Sequence, residues 1–115
     1  MEDIIHTDNN NVVTSHLSNW NPGHEYGIEF ENANDGYGEF YEIRFQNGPV
    51  KVHGVNGITS EALLAILIHR TEILNGNFPC AENEEALAGL KQALYAFESR
   101  TKNRIQRGVE GENKL

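Results

Sequence analysis

Residues 81–107, AENEEALAGLKQALYAFESRTKNRIQR, contain no proline and one glycine, Gly89, and are otherwise dominated by good helix formers. The spacing predicts a helix from Ala81 to about Arg107, about seven turns long. Taken at about 100° per residue, Leu87, Leu90, Leu94, Phe97 and Thr101 form an apolar seam at spacings of three and four. A second stripe runs beside it. Ala86, Gly89, Ala93 and Ala96 share a face that continues into Arg100, Arg104 and Arg107, so small side chains that admit a close helix contact lead directly into three cations.

Upstream, Leu63, Leu64, Ile66, Leu67 and Ile68 follow the N-cap candidates Thr59 and Ser60. They are too many for one narrow stripe, which predicts a helix buried on more than one side. Asn75-Gly76 is a C-cap signature. The short link Asn77-Phe78-Pro79-Cys80 requires the two helices to run antiparallel.

Before the helices the period is two. Tyr26, Ile28 and Phe30 alternate with Gly27 and Glu29, and Tyr41, Ile43 and Phe45 alternate with Glu42 and Arg44. Asn32-Ala33-Asn34-Asp35-Gly36 reads as the turn between these strands. Asn47-Gly48 signals a two-residue type I′ hairpin, returning as an edge strand over Val50–Val55 because Pro49 lacks an N–H. Residues 1–25, with the run Asn9-Asn10-Asn11, show no sustained period and are expected to be an irregular arm with at most a short strand around Val12 and Val13.

The expected class is therefore α+β: a small antiparallel β-sheet of two to three strands, then an antiparallel two-helix hairpin with a long C-terminal helix. We expect a single domain over 1–115, divided into the arm (1–25), the strands (26–57) and the helical hairpin (59–108).

A domain of 115 residues buries roughly two-thirds of the surface its unfolded chain exposes, so a homo-oligomer that completes the core is expected. No apolar run approaches the roughly 20 residues of a membrane span, and Met1-Glu2-Asp3-Ile4-Ile5 is not a secretory signal, which predicts a cytoplasmic protein. The single cysteine, Cys80, excludes an internal disulfide and is expected in the core or at a helix start. A net charge of −8 opposes binding of DNA or RNA. Of the nine Lys and Arg residues, however, Arg100, Lys102, Arg104, Arg107 and Lys114 fall at the C-terminal end, where a small anion could find a positive pocket.

Guanidinium groups bind phosphate oxygens through paired hydrogen bonds and stack on flat rings. Arg100, Arg104 and Arg107 are thus candidate ligand-binding residues. The competing reading is that they complement the helix dipole, with Glu98 and Glu110 as partners. Asn83, flanked by Glu82 and Glu84, is either a helix-start cap or, brought to the arginine end of an antiparallel second copy, the other half of a composite pocket. His6, His16, His24, His53 and His69 show no metal-ligand spacing, and GxSxG is absent, so neither metal nor catalytic residues are assigned and no cofactor is expected. Gly54-Val55-Asn56-Gly57 reads either as a turn before a helix cap or as an anion-binding loop. Trp20, Tyr26 and Tyr37 are available to stack on a base.

Two stretches carry a resemblance. They are Phe45-Gln46-Asn47-Gly48-Pro49-Val50 with Gly54-Val55-Asn56-Gly57-Ile58-Thr59, and Glu82-Asn83 leading to Arg100-Thr101-Lys102-Asn103-Arg104-Ile105-Gln106-Arg107-Gly108-Val109-Glu110-Gly111. From about residue 40 onward the chain resembles the phage Thoeris anti-defence protein one family, whose helical hairpin is shared with the phage anti-CBASS protein two family. The resemblance implies a sponge in the host cytoplasm, not an enzyme. It would sequester a cyclic ADP-ribose isomer, or another cyclic nucleotide, uncleaved, in pockets shared between protomers of a dimer or hexamer. It implies that Arg100 and Arg104 hold phosphates or stack on the base and that Asn83 contacts the ligand. The chain departs from the family at Ile73-Leu74, where an aromatic is frequent, at Ala81, where an Arg follows the Cys, and at Glu112-Asn113, which replaces Thr-His. The alternative is an oligomeric protein-interaction or structural module with no small-molecule ligand.

Overall fold

The computed structural model describes residues 3–17, 21–30 and 39–109. Four strands, β1 (Asp3–Thr7), β2 (Val12–His16), β3 (Glu25–Phe30) and β4 (Glu39–Arg44), form an antiparallel sheet in the order β1-β2-β3-β4. Three helices follow: α1 (Val50–His53), α2 (Ser60–Asn77) and α3 (Ala81–Gln106). The α+β class is as expected. The chain divides into two compact units, one holding the sheet up to Asn47 with Val55–Gly57, the other holding Gly48–Gly54 and the residues from Ile58 onward.

The sheet has more strands than the two to three expected, because the segment read as an irregular arm is a β-hairpin. The asparagine run is its turn. The Asp8 carboxylate accepts from the backbone N–H of Asn10 (2.8 Å) and Val12 (3.1 Å), and Asn11 takes the left-handed conformation (φ 61°) that Asn tolerates. The period of β1 is hidden by a register shift between Ile4 and His6, and all five of its residues are exposed.

β3 and β4 pair as the alternation predicts, with Tyr26 opposite Ile43 and Ile28 opposite Tyr41. On that face Phe30 packs against Tyr41 at a centroid distance of 5.3 Å, and Tyr26 meets Phe45 edge-on at 5.8 Å. The opposite face needs Gly27. A Cβ there would lie 2.7 Å from Cε2 of Phe40, so the ring covers the strand only because the side chain is missing. The expected turn at Asn32–Gly36, together with Trp20 and Tyr37, lies outside the described residues.

The hairpin expected at Asn47-Gly48 does not form, and Val50–Val55 does not return as a strand. A type I′ turn needs positive φ at both central residues, whereas only Gly48 has it (φ 83°). Pro49 is extended and caps the short helix α1, where its missing N–H costs nothing. Asn47 is instead tied to Asn56: Asn47 N donates to Asn56 Oδ1 (2.8 Å), and Asn56 Nδ2 donates to the Asn47 carbonyl (2.9 Å). The Asn56 N–H is taken by Gln46 Oε1 (3.0 Å). Gly57 lies so close to the Phe45 carbonyl that no Cβ fits.

In the helical unit Thr59 is the N-cap, its hydroxyl accepting from Ala62 N at 3.0 Å. α2 runs through the expected stop at Asn75-Gly76 and is capped at Phe78. Gly76 does not adopt positive φ, and Asn75 spends its side chain on the next helix, donating to Glu84 Oε1 (2.7 Å) and accepting from Cys80 N (3.2 Å). Cys80 is the exposed N-cap of α3, so the core alternative for it does not hold. α3 spans 26 residues, closely matching the predicted extent. The helices are antiparallel: Glu61 reaches Thr101 (3.3 Å), Glu72 reaches Lys91 (3.3 Å) and Asn75 reaches Glu84.

Among the described residues only Ile68 and Leu87 are buried hydrophobics. Leu90, Leu94 and Thr101 of the predicted seam are half-buried, while Phe97 is exposed. Burial of α2 on more than one side is not met within one chain, since the two-helix hairpin covers only one flank: Ile66 is 61% exposed and Leu67, Ile73 and Leu74 are exposed as well. No helix of the described residues is long and apolar enough to cross a membrane.

Candidate functional site

α3 and its C-cap carry the four residues singled out from the sequence. Asn83 is half-buried in its first turn, Arg100 is exposed near its end, Arg104 is buried, and Arg107 is the exposed C-cap residue. At about 1.5 Å rise per residue, Asn83 and Arg100 stand about 26 Å apart along the axis. A single chain therefore cannot bring them to one small ligand.

The arginines also differ among themselves. Arg104 lies about 40° round the helix from Arg100, toward the seam, which the helical spacing alone already implies. It is only 5% exposed, and its Nη2 donates to the Val109 carbonyl at 2.9 Å. One turn earlier, Thr101 Oγ1 donates to Glu61 Oε2. Glu61 was not singled out from the sequence; its signal is an acidic residue in the first turn of α2, which the antiparallel register sets opposite the last turns of α3.

The small-residue stripe is largely open. Ala86, Gly89 and Ala96 are exposed, and Ala93 is half-buried. Nothing described lies within 4 Å of a Cβ placed on Gly89. A flat, small-residue surface thus leads along α3 toward Arg100 and Arg107, which suits the close approach of another helix.

The other segment considered for anion binding is occupied by its own structure. In Gly54-Val55-Asn56-Gly57 the Gly54 N–H is used by Val50 O and the Asn56 N–H by Gln46, so the turn reading fits and the anion-loop reading does not. A shallow depression of about 190 Å³ sits beside it, lined by His24, Glu25, Arg44, Phe45, Asn47 and Asn56. Among the described residues no group of three His, Cys, Asp or Glu could hold a metal ion.

Sheet unit and helical unit together define an α+β protein with a long antiparallel helical hairpin whose second helix ends in a basic turn. The profile of the Acb2/Tad1 hairpin domain matches residues 39–102, more than half of the chain, and the chain belongs to that family. It is 44% identical over 75 residues to Thoeris anti-defense 1 of Bacillus phage SBSphiJ7, a segment covering 64% of this chain and 53% of that protein. The chain thus spans about half the length of this relative. Asn83 and Arg100 lie inside the family match, and Arg104 and Arg107 lie beyond its end.

Proposed function

We propose that the chain is a phage anti-defence protein that binds and sequesters a cyclic nucleotide immune signal without cleaving it. The ligand class is a cyclic ADP-ribose isomer, with cyclic di- or trinucleotides as further candidates. Family membership and the name of the Bacillus phage relative support the anti-defence role. The observation that carries the pocket is the separation of Asn83 from Arg100 on one rigid helix, beside an open small-residue stripe. A second copy running antiparallel along that stripe brings its Asn83 to the arginine end of the first. Each pocket then takes Arg100, Arg104 and Arg107 from one α3 and Asn83 from the other, in a homo-oligomer built from dimers.

In this reading each residue acts by binding alone. The guanidinium groups bond the phosphates or lie against the base, and closure of the interface excludes water from the bonds. Isothermal titration with a panel of cyclic ADP-ribose isomers and cyclic dinucleotides, followed by chromatography of heat-released ligand, tests it. Tight binding with intact release supports a sponge; release of a cleaved product contradicts it.

The exposed Ile66, Leu67, Ile73 and Leu74 favour a second reading, an oligomeric protein-interaction module in which the arginines pair with acidic residues of a neighbour. That module binds nothing in the panel.

A further inference from the structure

The end of α3 closes in a six-residue ring, Arg104-Ile105-Gln106-Arg107-Gly108-Val109. Val109 N donates to the Arg104 carbonyl (2.9 Å), Gly108 N donates to the Ile105 carbonyl (3.0 Å), and Gly108 is left-handed (φ 71°). This is the Schellman arrangement, with Gly108 at the position just past the cap. Such turns are frequently completed by an apolar contact between their first and last residues. Here the first residue is Arg104, and its guanidinium donates to the carbonyl of the last, Val109, at 2.9 Å. The backbone turn and the side-chain bond thus close on the same pair of residues, and Arg104 is buried where its neighbours Arg100 and Arg107 are exposed.

We infer that the Gly108-Val109 turn is a positioning device for the ligand site: by fixing the Val109 carbonyl it sets the orientation of the Arg104 guanidinium before ligand arrives. This rests on the proposed function, because it supposes that Arg104 binds the ligand. A preset guanidinium loses less side-chain freedom on binding, and that saving appears as affinity. Glycine suits this position because most residues with a Cβ are strained at this φ, Asn being the side chain that tolerates it best.

The test compares Gly108→Ala, Gly108→Asn and Arg104→Ala, alone and combined, in titrations with the same panel. Alongside, nitrogen NMR of the Arg104 guanidinium is recorded in the free protein. The expected loss for Gly108→Ala is about five- to thirtyfold in affinity, the scale of placing a non-glycine residue in the left-handed region. Gly108→Asn should restore most of it. In an Arg104→Ala background Gly108→Ala should cost nothing further, a coupling that a general weakening of the fold would not produce. The free wild type should show slowly exchanging Arg104 Nη signals that average out in Gly108→Ala. Unchanged affinity in Gly108→Ala, an equal loss in the Arg104→Ala background, or unchanged Arg104 signals overturns the inference while leaving the sponge standing. A wild type that binds nothing in the panel removes the sponge reading, and this inference falls with it.

Discussion

The sheet unit and the helical unit complete their backbone hydrogen bonding by different routes, and what each leaves open differs accordingly. In the sheet the bonds join residues distant in sequence, His24 to Phe45 and Asn47 to Asn56, and the unit ends on an exposed, bulged edge strand, β1. In the helical unit most backbone bonds lie within each helix, contacts such as Glu61–Thr101, Glu72–Lys91 and Asn75–Glu84 join α2 to α3, and among the described residues the buried hydrophobics are Ile68 and Leu87. A sheet that leaves an edge open can still turn it aside by a bulge. A hairpin with an uncovered apolar flank has no such device, and Ile66, Leu67, Ile73 and Leu74 stay exposed on it; the second copy proposed above would cover the helices rather than the sheet.

That contrast can be broken in several places. The largest effect is expected from Leu87→Ala, since Leu87 is 8% exposed on the seam; a loss of about 2–4 kcal/mol should appear in denaturant unfolding followed by far-ultraviolet dichroism. A smaller change would mean that the hairpin does not depend on that contact. Arg100→Ala should leave unfolding unchanged and weaken ligand binding by about 1.5–3 kcal/mol, the scale of a charge-assisted hydrogen bond, read by calorimetry. Gly27→Ala probes the sheet: the new methyl displaces the partly exposed Phe40 ring, at an expected cost of about 1 kcal/mol. Thr59→Ala removes the bond to Ala62 and should cost about 1 kcal/mol.

The smallest effect concerns titration alone. The Tyr41 hydroxyl donates to Glu39 Oε2, and that bond, with the nearby carboxylate charge, raises its pKa above 10.0. The raised folded value means that the bond contributes fully below the unfolded pKa and is lost as pH rises through the folded one. Glu39→Gln should therefore shift the alkaline absorbance titration of Tyr41 downward; an unmoved titration would detach the two side chains.

How much of this was legible in the sequence follows the same division. α3 was readable almost to the residue because its determinants are local: helix formers, no proline, and a periodic seam. Thr59 was readable as a cap for the same reason. The β1-β2 hairpin was not, because a register shift breaks its alternation and the Asp8 carboxylate, rather than a glycine, organises its turn. Asn47-Gly48 carried the local signal of a hairpin, but a partner nine positions away, Asn56, decides the outcome. Asn75-Gly76 was overridden similarly by the bonds of Asn75 to Glu84 and Cys80. At the arginine end, helical spacing placed Arg100 and Arg104 in the last turns of α3 and Arg107 at its end, where the structure has the C-cap. It did not foresee that Arg104 folds back onto Val109, because that depends on a turn beyond the helix.

The central claim is that each ligand pocket is shared, with Asn83 from one chain and Arg100 from another. It is tested most directly by mixing. Asn83→Ala and Arg100→Ala chains are each prepared alone, then refolded together and titrated with the ligand that the wild type binds. Each variant alone should bind weakly, because every pocket lacks a partner. In a mixed pair one pocket collects both substitutions and the other collects neither, so wild-type affinity should return at a fraction of the sites. A mixture that binds no better than its components would contradict the shared pocket and return the arginines to the end of a single helix.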